Sequence, residues 1–263
     1  MSEQNELIIE EKGPICTLIL NRPEKRNLTT PSMLLQLDSA LKKLTDEGRI
    51  RCVVIRGAGD KAFSSGYDIS AIGDNDMMRD YQEDHPLTIA GKSIETFPYP
   101  VIAMINGHTF GAGLELAITC DIRICAEGAF LGMPPAKLGV IYTYSGIRKF
   151  LNAIGLAYTK ELFLIGKPID SERAEKIGLV NYIKPQDELE KFTYDLALEI
   201  SENAPLSLKT MKFVINKWQT NQNLNVEDED ILRKMIFAVQ SSHDYTEGQR
   251  AFAEKRKPKF KGN

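Results

Sequence analysis

The chain lacks any apolar run of membrane-spanning length. A bilayer-crossing helix needs about 20 such residues, and the longest candidates here, such as Val101–Ile105, are strand-sized. It has only three histidines (His85, His108, His243), scattered without metal-ligand spacing, so a zinc or other metal site is not expected. Its four cysteines (Cys16, Cys52, Cys120, Cys125) sit singly inside apolar runs, with no CxxC pair. That pattern points to reduced core thiols rather than a disulfide framework, as suits a cytoplasmic protein. There is no excess of basic charge: Lys and Arg number 33 against 36 Asp and Glu, a net charge of −3. A general nucleic-acid binder would carry a basic face; a small basic patch for a phosphate-bearing ligand remains open. The helix 206–220 carries Lys209, Lys212 and Lys217, and at this net charge the stripe reads as a solvated face. No repeat, Ser/Gly-rich linker or GxxxxGK[ST] phosphate loop appears, and Gly111-x-Gly113 lacks the third glycine of a dinucleotide-binding turn. The opening MSEQNELIIEEKG is polar and acidic, without a charged-then-apolar export pattern.

What is present is an ordinary globular balance, 43% hydrophobic and 26% charged, in 263 residues. That length is ample for one large core, alone or with a helical appendage. The runs 6–11 and Ile15–Leu20 read as strands around a Lys12-Gly13-Pro14 break. Thr30 before Pro31 reads as an N-cap with proline at the first helical position. Leu34, Leu35, Leu37, Leu41 and Leu44 then recur at helical spacing up to Gly48. Residues 52–56, Val101–Ile105 and Ile122–Ala126 read as strands buried on both faces, alternating with helices. From about residue 145 the pattern turns helical, over 145–154, 157–164, 171–177, 189–203, 206–220, 226–241 and 245–255. The expectation is a core over 1–200 and a helical oligomerisation subdomain over 201–263. The Lys-rich close, 254–261, reads by itself as a solvated tail.

Two glycine-rich turns follow apolar strands and precede helix starts: Ser65-Gly66-Tyr67-Asp68 and Gly107-His-Thr-Phe-Gly111-Ala112-Gly113. A helix start offers unpaired N–H groups and a positive dipole end, and glycine lets a backbone come close to a ligand. Two such turns meeting would give two main-chain donors for one oxygen, an oxyanion hole. Tight packing is the alternative reading of each turn. Glu115 lies one turn into an otherwise apolar helix, Gly-Leu-Glu-Leu-Ala. Burying an unpaired carboxylate favours its neutral form, which suits a general acid/base. The alternative is a carboxylate that caps the helix start.

Five ordered motifs together resemble the crotonase (enoyl-CoA hydratase/isomerase) superfamily. They are Asn21-Arg-Pro with Asn27, Lys61-Ala-Phe-Ser-Ser-Gly-Tyr-Asp-Ile69, Ile105-Asn-Gly-His-Thr-Phe-Gly-Ala-Gly-Leu-Glu-Leu-Ala117, Cys120-Asp-Ile-Arg, and Ala251-Phe-Ala-Glu-Lys-Arg-Lys-Pro258. The resemblance implies an α/β fold, a crotonase-like spiral of ββα units with a helical C-terminal subdomain. It implies an acyl-CoA substrate and a homotrimer or homohexamer, with no nucleic-acid or membrane partner. It assigns the oxyanion donors to the N–H groups of Tyr67 and Ala112, the latter standing where the family usually has glycine. Ser65, Gly66, Tyr67, Asp68 and Ile69 would hold the CoA by their main chain, with Lys25 and Arg26 near its phosphates. Phe252 and Lys255 would reach the CoA of a neighbouring subunit, a local positive charge on an acidic protein.

The family's hydratases use two glutamates. Glu115 matches the first, but the position of the second is Pro135, in Leu131-Gly-Met-Pro134-Pro135-Ala. Two-carboxylate addition of water is therefore not expected. With Tyr142 following at Val140-Ile-Tyr-Thr-Tyr-Ser, the chain is similar to the methylmalonyl-CoA decarboxylase branch. Tyr142 would orient the leaving carboxylate; the alternative is an ordinary half-buried core tyrosine. Pro134 stands where that branch has a threonine, and Tyr67 where it has a histidine, so the acyl group can differ. A decarboxylase of this kind needs no cofactor, CoA being part of the substrate. An enoyl-CoA isomerase or hydratase using Glu115, and a CoA-binding scaffold without activity, are the alternatives.

Overall fold

A computed structural model gives the fold and describes residues 5–68, 85–203, 205–220 and 241–256, with residues 234, 237, 258 and 259. Ile69, Lys261 and the expected helix over 226–241, apart from residues 234, 237 and 241, lie outside the described residues; so does the side chain of Lys217.

Strands β1 (Leu7–Lys12) and β2 (Ile15–Leu20) form an antiparallel hairpin with Gly13 at φ +59° in its turn. Strand β2 then pairs in parallel with β3 (Cys52–Gly57), which leads across the sheet to β5 (Val101–Ile105), β7 (Ile122–Ala126) and β10 (Tyr182–Lys184). The second sheet is short: β4 (Ala62–Ser64), β6 (His108–Phe110), β8 (Phe130–Gly132) and β9 (Ile169–Asp170). Chain order alternates between the sheets, β3 to β4, β5 to β6, β7 to β8. Each turn of the spiral therefore lays one strand in each sheet before a helix. Strand β5 is buried along its length and β3 over residues 52–55, as their apolar runs require.

The helices follow local signals. Helix α1 (Pro31–Glu47) is capped by the Thr30 hydroxyl, which accepts from the Met33 N–H at 3.0 Å, and it ends on Gly48 in the left-handed region. Helices α2 (Pro86–Thr96), α3 (Ala112–Thr119) and α4 (Pro135–Leu138) follow the first three strand pairs. Helix α5 (Tyr144–Lys160) merges what the sequence suggests are two helices, and the break survives as Gly155 at φ 71°, ψ 173°. A π-helical turn, Glu161–Ile165, continues it. Then come α6 (Ser171–Lys176), α7 (Gln186–Glu202), α8 (Pro205–Thr220) and α9 (His243–Ala253). Among the described residues no helix is long and apolar enough to cross a membrane.

Two buried asparagines brace the sheet crossings. The Asn106 amide accepts from the Gly57 N–H at 2.9 Å and donates to the carbonyls of Gly57 (3.0 Å) and Gly59 (2.7 Å). The Asn27 amide donates to the Ala58 and Ala62 carbonyls at 3.0 and 2.7 Å. The two side chains satisfy backbone groups at the end of β3, in the turn after it and at the start of β4.

All four cysteines are buried and unbridged, and burial pushes each thiol up to about 12. The solvated reading of the α8 lysines holds at exposed Lys209 and is corrected at Lys212. Lys212 is buried, and its ammonium donates to the carbonyls of Ile94 (3.2 Å) and Tyr99 (3.0 Å) and pairs with Asp121 at 2.7 Å. Acceptors at the end of α2 and the start of β5 draw it inward, which helical spacing alone does not reveal.

Asn106→Ala is expected to cost about 2–4 kcal/mol, because it strands buried donors and acceptors on Gly57 and Gly59. A denaturant midpoint within error of the unaltered protein would contradict this brace.

Candidate active site

The two glycine turns meet. Helix α3 starts against the end of β4: a β-carbon added to Gly113 would fall 2.5 Å from the Ser64 β-carbon and 2.8 Å from its hydroxyl. One residue earlier a side chain fits, and Ala112 occupies that place. A β-carbon added to Gly111 would stand 3.8 Å from the Gly66 α-carbon, and one on Gly66 3.4 Å from the Phe110 carbonyl. Gly111 sits at φ 53°, ψ −126° and Gly66 at φ 116°, conformations that side-chain-bearing residues avoid.

The direction of the Tyr67 amide follows from its pairing. Tyr67 bridges Thr29 in parallel: the Thr29 N–H donates to the Gly66 carbonyl, and the Asp68 N–H to the Thr29 carbonyl, both at 2.8 Å. Backbone groups alternate sides along an extended segment, so the Tyr67 N–H faces away from Thr29. The neighbouring amides are turned to other acceptors, Ser65 to the Arg26 carbonyl at 3.0 Å and Gly66 to the Ser64 hydroxyl at 3.2 Å. Ala112 is the first residue of α3, where an N–H has no acceptor within its own helix. Both predicted donors thus lie on turns whose glycines touch.

Lys25 and Arg26 flank the same loop with exposed side chains, and their carbonyls hold Ser65, through its hydroxyl (3.2 Å) and its N–H (3.0 Å). Arg26 and Asn27 both have positive φ, 51° and 54°. Asp68 is turned to Arg22 at 3.3 Å, and Arg22 also reaches Glu6 at 3.5 Å.

Tyr142 joins the crossing. Its hydroxyl would lie 3.5 Å from a β-carbon on Gly111, and its half-buried ring packs edge-on against Phe163 at 5.6 Å. Pro134 precedes α4, two residues after Gly132, whose carbonyl accepts from the Gly111 N–H at 3.0 Å. Pro135 is buried at the first position of α4 and offers no proton.

Glu115 is buried on α3, three residues from Ala112 and so on the same face. It caps nothing: the α3 N-cap is Gly111, with no side-chain cap. Nor is it unpaired. Lys149 of α5 lies 3.5 Å from its Oε1, a partner 34 places along the chain that local pattern reading misses. His85 was missed as well. It is buried, its ring lies 5.3 Å from that of Tyr67, and its Nδ1 accepts from the Leu87 N–H at 3.3 Å as the cap of α2. The sequence signal for it is a cap residue before Pro86, the same pattern as Thr30 before Pro31.

Phe252 is more than half exposed near the end of α9, and Lys255, at φ 52°, is exposed just beyond that helix. The chain after them is held rather than simply solvated. Buried Glu247 accepts from Arg256 (2.6 and 2.9 Å), Arg250 (2.8 Å) and the Lys259 N–H (2.8 Å). The Arg256 guanidinium, then the Lys259 amide, holds its carboxyl well below the usual carboxylate range. The surface cleft here, about 490 Å³, is lined by His243, Glu247, Arg250, Glu254, Arg256 and Lys259. Among the described residues no cluster of His, Cys, Asp or Glu is placed to hold a metal ion.

The family model described as enoyl-CoA hydratase/isomerase matches residues 10–263. The methylmalonyl-CoA decarboxylase of Escherichia coli K12 is 35% identical over 232 residues, 86% of this chain and 88% of that protein. The short-chain-enoyl-CoA hydratase of Clostridium acetobutylicum is 29% identical over 260 residues, 97% of each chain. A solved methylmalonyl-CoA decarboxylase in complex with 2-nitronate-propionyl-CoA superposes with a TM-score of 0.93 at 32% identity, covering 98% of this chain and 99% of that one.

The Glu247 clasp contributes stability above the ordinary carboxylate value of 4.5, and that contribution is lost as pH falls below it. Glu247→Gln is expected to remove this part of the acid dependence, which lies below about pH 4.5, and to open Arg256 to trypsin. An unaltered pH profile and cleavage pattern would rule the clasp out.

Proposed function

The chain belongs to the enoyl-CoA hydratase/isomerase (crotonase) family, and from that premise we propose that it decarboxylates a (methyl)malonyl-CoA-like thioester. The coarse activity follows from the family: it is an acyl-CoA-processing enzyme. The observation that carries the finer reading is the Tyr142 hydroxyl at the meeting of Gly66 and Gly111, combined with Pro135 where a second carboxylate would be needed.

The thioester oxygen sits between the N–H groups of Tyr67 and Ala112. The bond from the α-carbon to the carboxylate breaks, CO₂ leaves, and the electron pair passes through the α-carbon onto that oxygen as an enolate. Each main-chain donor aimed at the developing charge is worth about 3–4 kcal/mol in comparable sites. Tyr142 turns the carboxylate out of the thioester plane, so that the breaking bond aligns with the carbonyl π system. Glu115, or water that it positions, returns a proton to the α-carbon. No metal, biotin or nicotinamide enters this sequence.

The main chain of 65–68 holds the CoA, Lys25 and Arg26 meet its phosphates, and Phe252 and Lys255 of a neighbouring copy complete the site in a homotrimer or homohexamer. Within the expected subdomain over 201–263, α9 and the residues just beyond it make those contacts. The second reading is an enoyl-CoA isomerase with Glu115 moving the proton, favoured by the buried carboxylate on the same helix face as Ala112.

Mass spectrometry of CoA products from methylmalonyl-CoA, malonyl-CoA, crotonyl-CoA and a 3-enoyl-CoA separates the readings. Loss of CO₂ is expected; gain of water or a moved double bond would replace the proposal, and unchanged CoA esters would leave only a binding scaffold. Tyr142→Phe is expected to lower kcat for CO₂ loss about tenfold or more with KM little altered; unchanged turnover removes Tyr142 from the mechanism.

A further inference from the structure

We infer that Lys149 is a positioning residue for Glu115: its ammonium fixes the carboxylate beside the reacting α-carbon, and Glu95 holds the ammonium from behind. The inference rests on the reading of Glu115 as the group that moves the α-proton.

Three helices each contribute one charged group. Lys149 of α5 lies 3.5 Å from the Glu115 Oε1 of α3 and 3.7 Å from the Glu95 Oε1 of α2. The lysine side chain is 15% exposed, that of Glu115 8% and that of Glu95 31%. The row therefore runs from a buried carboxylate, through a nearly buried ammonium, to a carboxylate that meets solvent. A buried carboxylate without a counter-charge would be strongly disfavoured, and so would the ammonium. Each supplies what the other lacks.

The surrounding backbone has made room for this pair. A β-carbon on Gly91 of α2 would come within 3.0 Å of the Lys149 Nζ. A β-carbon on Gly146, three residues before Lys149 on the same face of α5, would lie 3.1 Å from the Glu115 Oε1. Two helices thus present glycine where the charged atoms pass. Helix spacing does not require a glycine at either place, and neither has positive φ; close approach accounts for both.

The other titratable groups nearby do not compete for the ammonium. Cys120, further along α3, has its thiol pushed up to about 12 by burial and carries no charge. Asp121, just beyond α3, is paired with Lys212 at 2.7 Å. Tied at one oxygen by Lys149, Glu115 keeps a single orientation from turnover to turnover. A small misplacement of a proton-transfer group is enough to cost orders of magnitude in rate.

The test follows deuterium uptake at the α-carbon of propionyl-CoA in D₂O by mass spectrometry, a proton transfer that does not depend on which reaction the enzyme completes. Glu115→Gln is expected to slow exchange about a hundredfold. Lys149→Met is expected to slow it about tenfold without changing the half-saturating propionyl-CoA concentration more than about twofold, and Lys149→Arg to restore most of the rate. The double variant Glu115→Gln/Lys149→Met should be no slower than Glu115→Gln alone, because Lys149 acts only through that carboxylate. Full exchange in Lys149→Met while Glu115→Gln is slow overturns the positioning role and leaves the Glu115 reading standing. An additive loss in the double variant, or a loss that arginine does not rescue, overturns it too. Absence of exchange in the unaltered protein, or full exchange in Glu115→Gln, overturns the reading of Glu115 itself.

Discussion

Everything in the candidate site depends on how closely two stretches of main chain approach each other. Residues 64–67 and 110–113 come together only because three positions between them carry no side chain. At Gly113 even a methyl group would overlap Ser64; at Gly66 and Gly111 the backbone takes conformations that an L-residue with a β-carbon resists. The chemistry this makes available is main-chain chemistry. The amides of Tyr67 and Ala112 need no particular side chain, so tyrosine and alanine at these positions leave the donors in place. The rigidity comes from behind: Thr29 fixes both sides of Tyr67, and Asn27 and Asn106 bind the sheet crossings from which the two turns emerge.

Charge is handled locally on a chain that is slightly acidic overall. An acyl-CoA is strongly anionic, and Glu115 adds a buried carboxylate of the protein's own. Lys149 offsets that carboxylate within the protein, while Lys25 and Arg26 stand exposed beside the loop of 65–68. Lys212 and Glu247 serve a different purpose. Lys212 ties α8 to the start of β5, and Glu247 gathers Arg250, Arg256 and the Lys259 amide into one knot after α9. Both are buried ionic groups with several partners each, the arrangement under which burial of charge is tolerated.

Much of the secondary structure is legible from short-range signals because those signals are themselves local physics. Thr30-Pro31 starts a helix since a hydroxyl can reach the third N–H onward, and Gly48 ends it since it accepts the left-handed conformation. The strands Ile15–Leu20, Val101–Ile105 and Ile122–Ala126 stand out because both their faces are buried, leaving mainly apolar runs that only Thr17 and Arg123 interrupt. The short strands β4, β6, β8 and β9 are not legible in this way. With two or three residues each, they carry no period of their own and exist because the larger sheet delivers them side by side. The kink at Gly155 sits between both habits: the sequence reads as two helices, and packing runs them together around one non-helical glycine.

The amino-acid sequence by itself determined which groups are available: two glycine turns after strands, one carboxylate in an apolar helix, no second glutamate at Pro135, and cysteines too apolar in their surroundings to be reactive. These are properties of residue type and near neighbours, and they do not depend on where distant segments end up. Tertiary structure alone decided which groups meet. Tyr142 reaches Gly111 across 31 positions, and Lys149 reaches both Glu115 and Glu95 from a third helix. His85 lies against Tyr67, and Lys212 turns inward from a stripe that looks solvated. Such contacts carry no period and no fixed spacing, since they are set by the angle at which one packed helix crosses another. Only the folded chain holds that information.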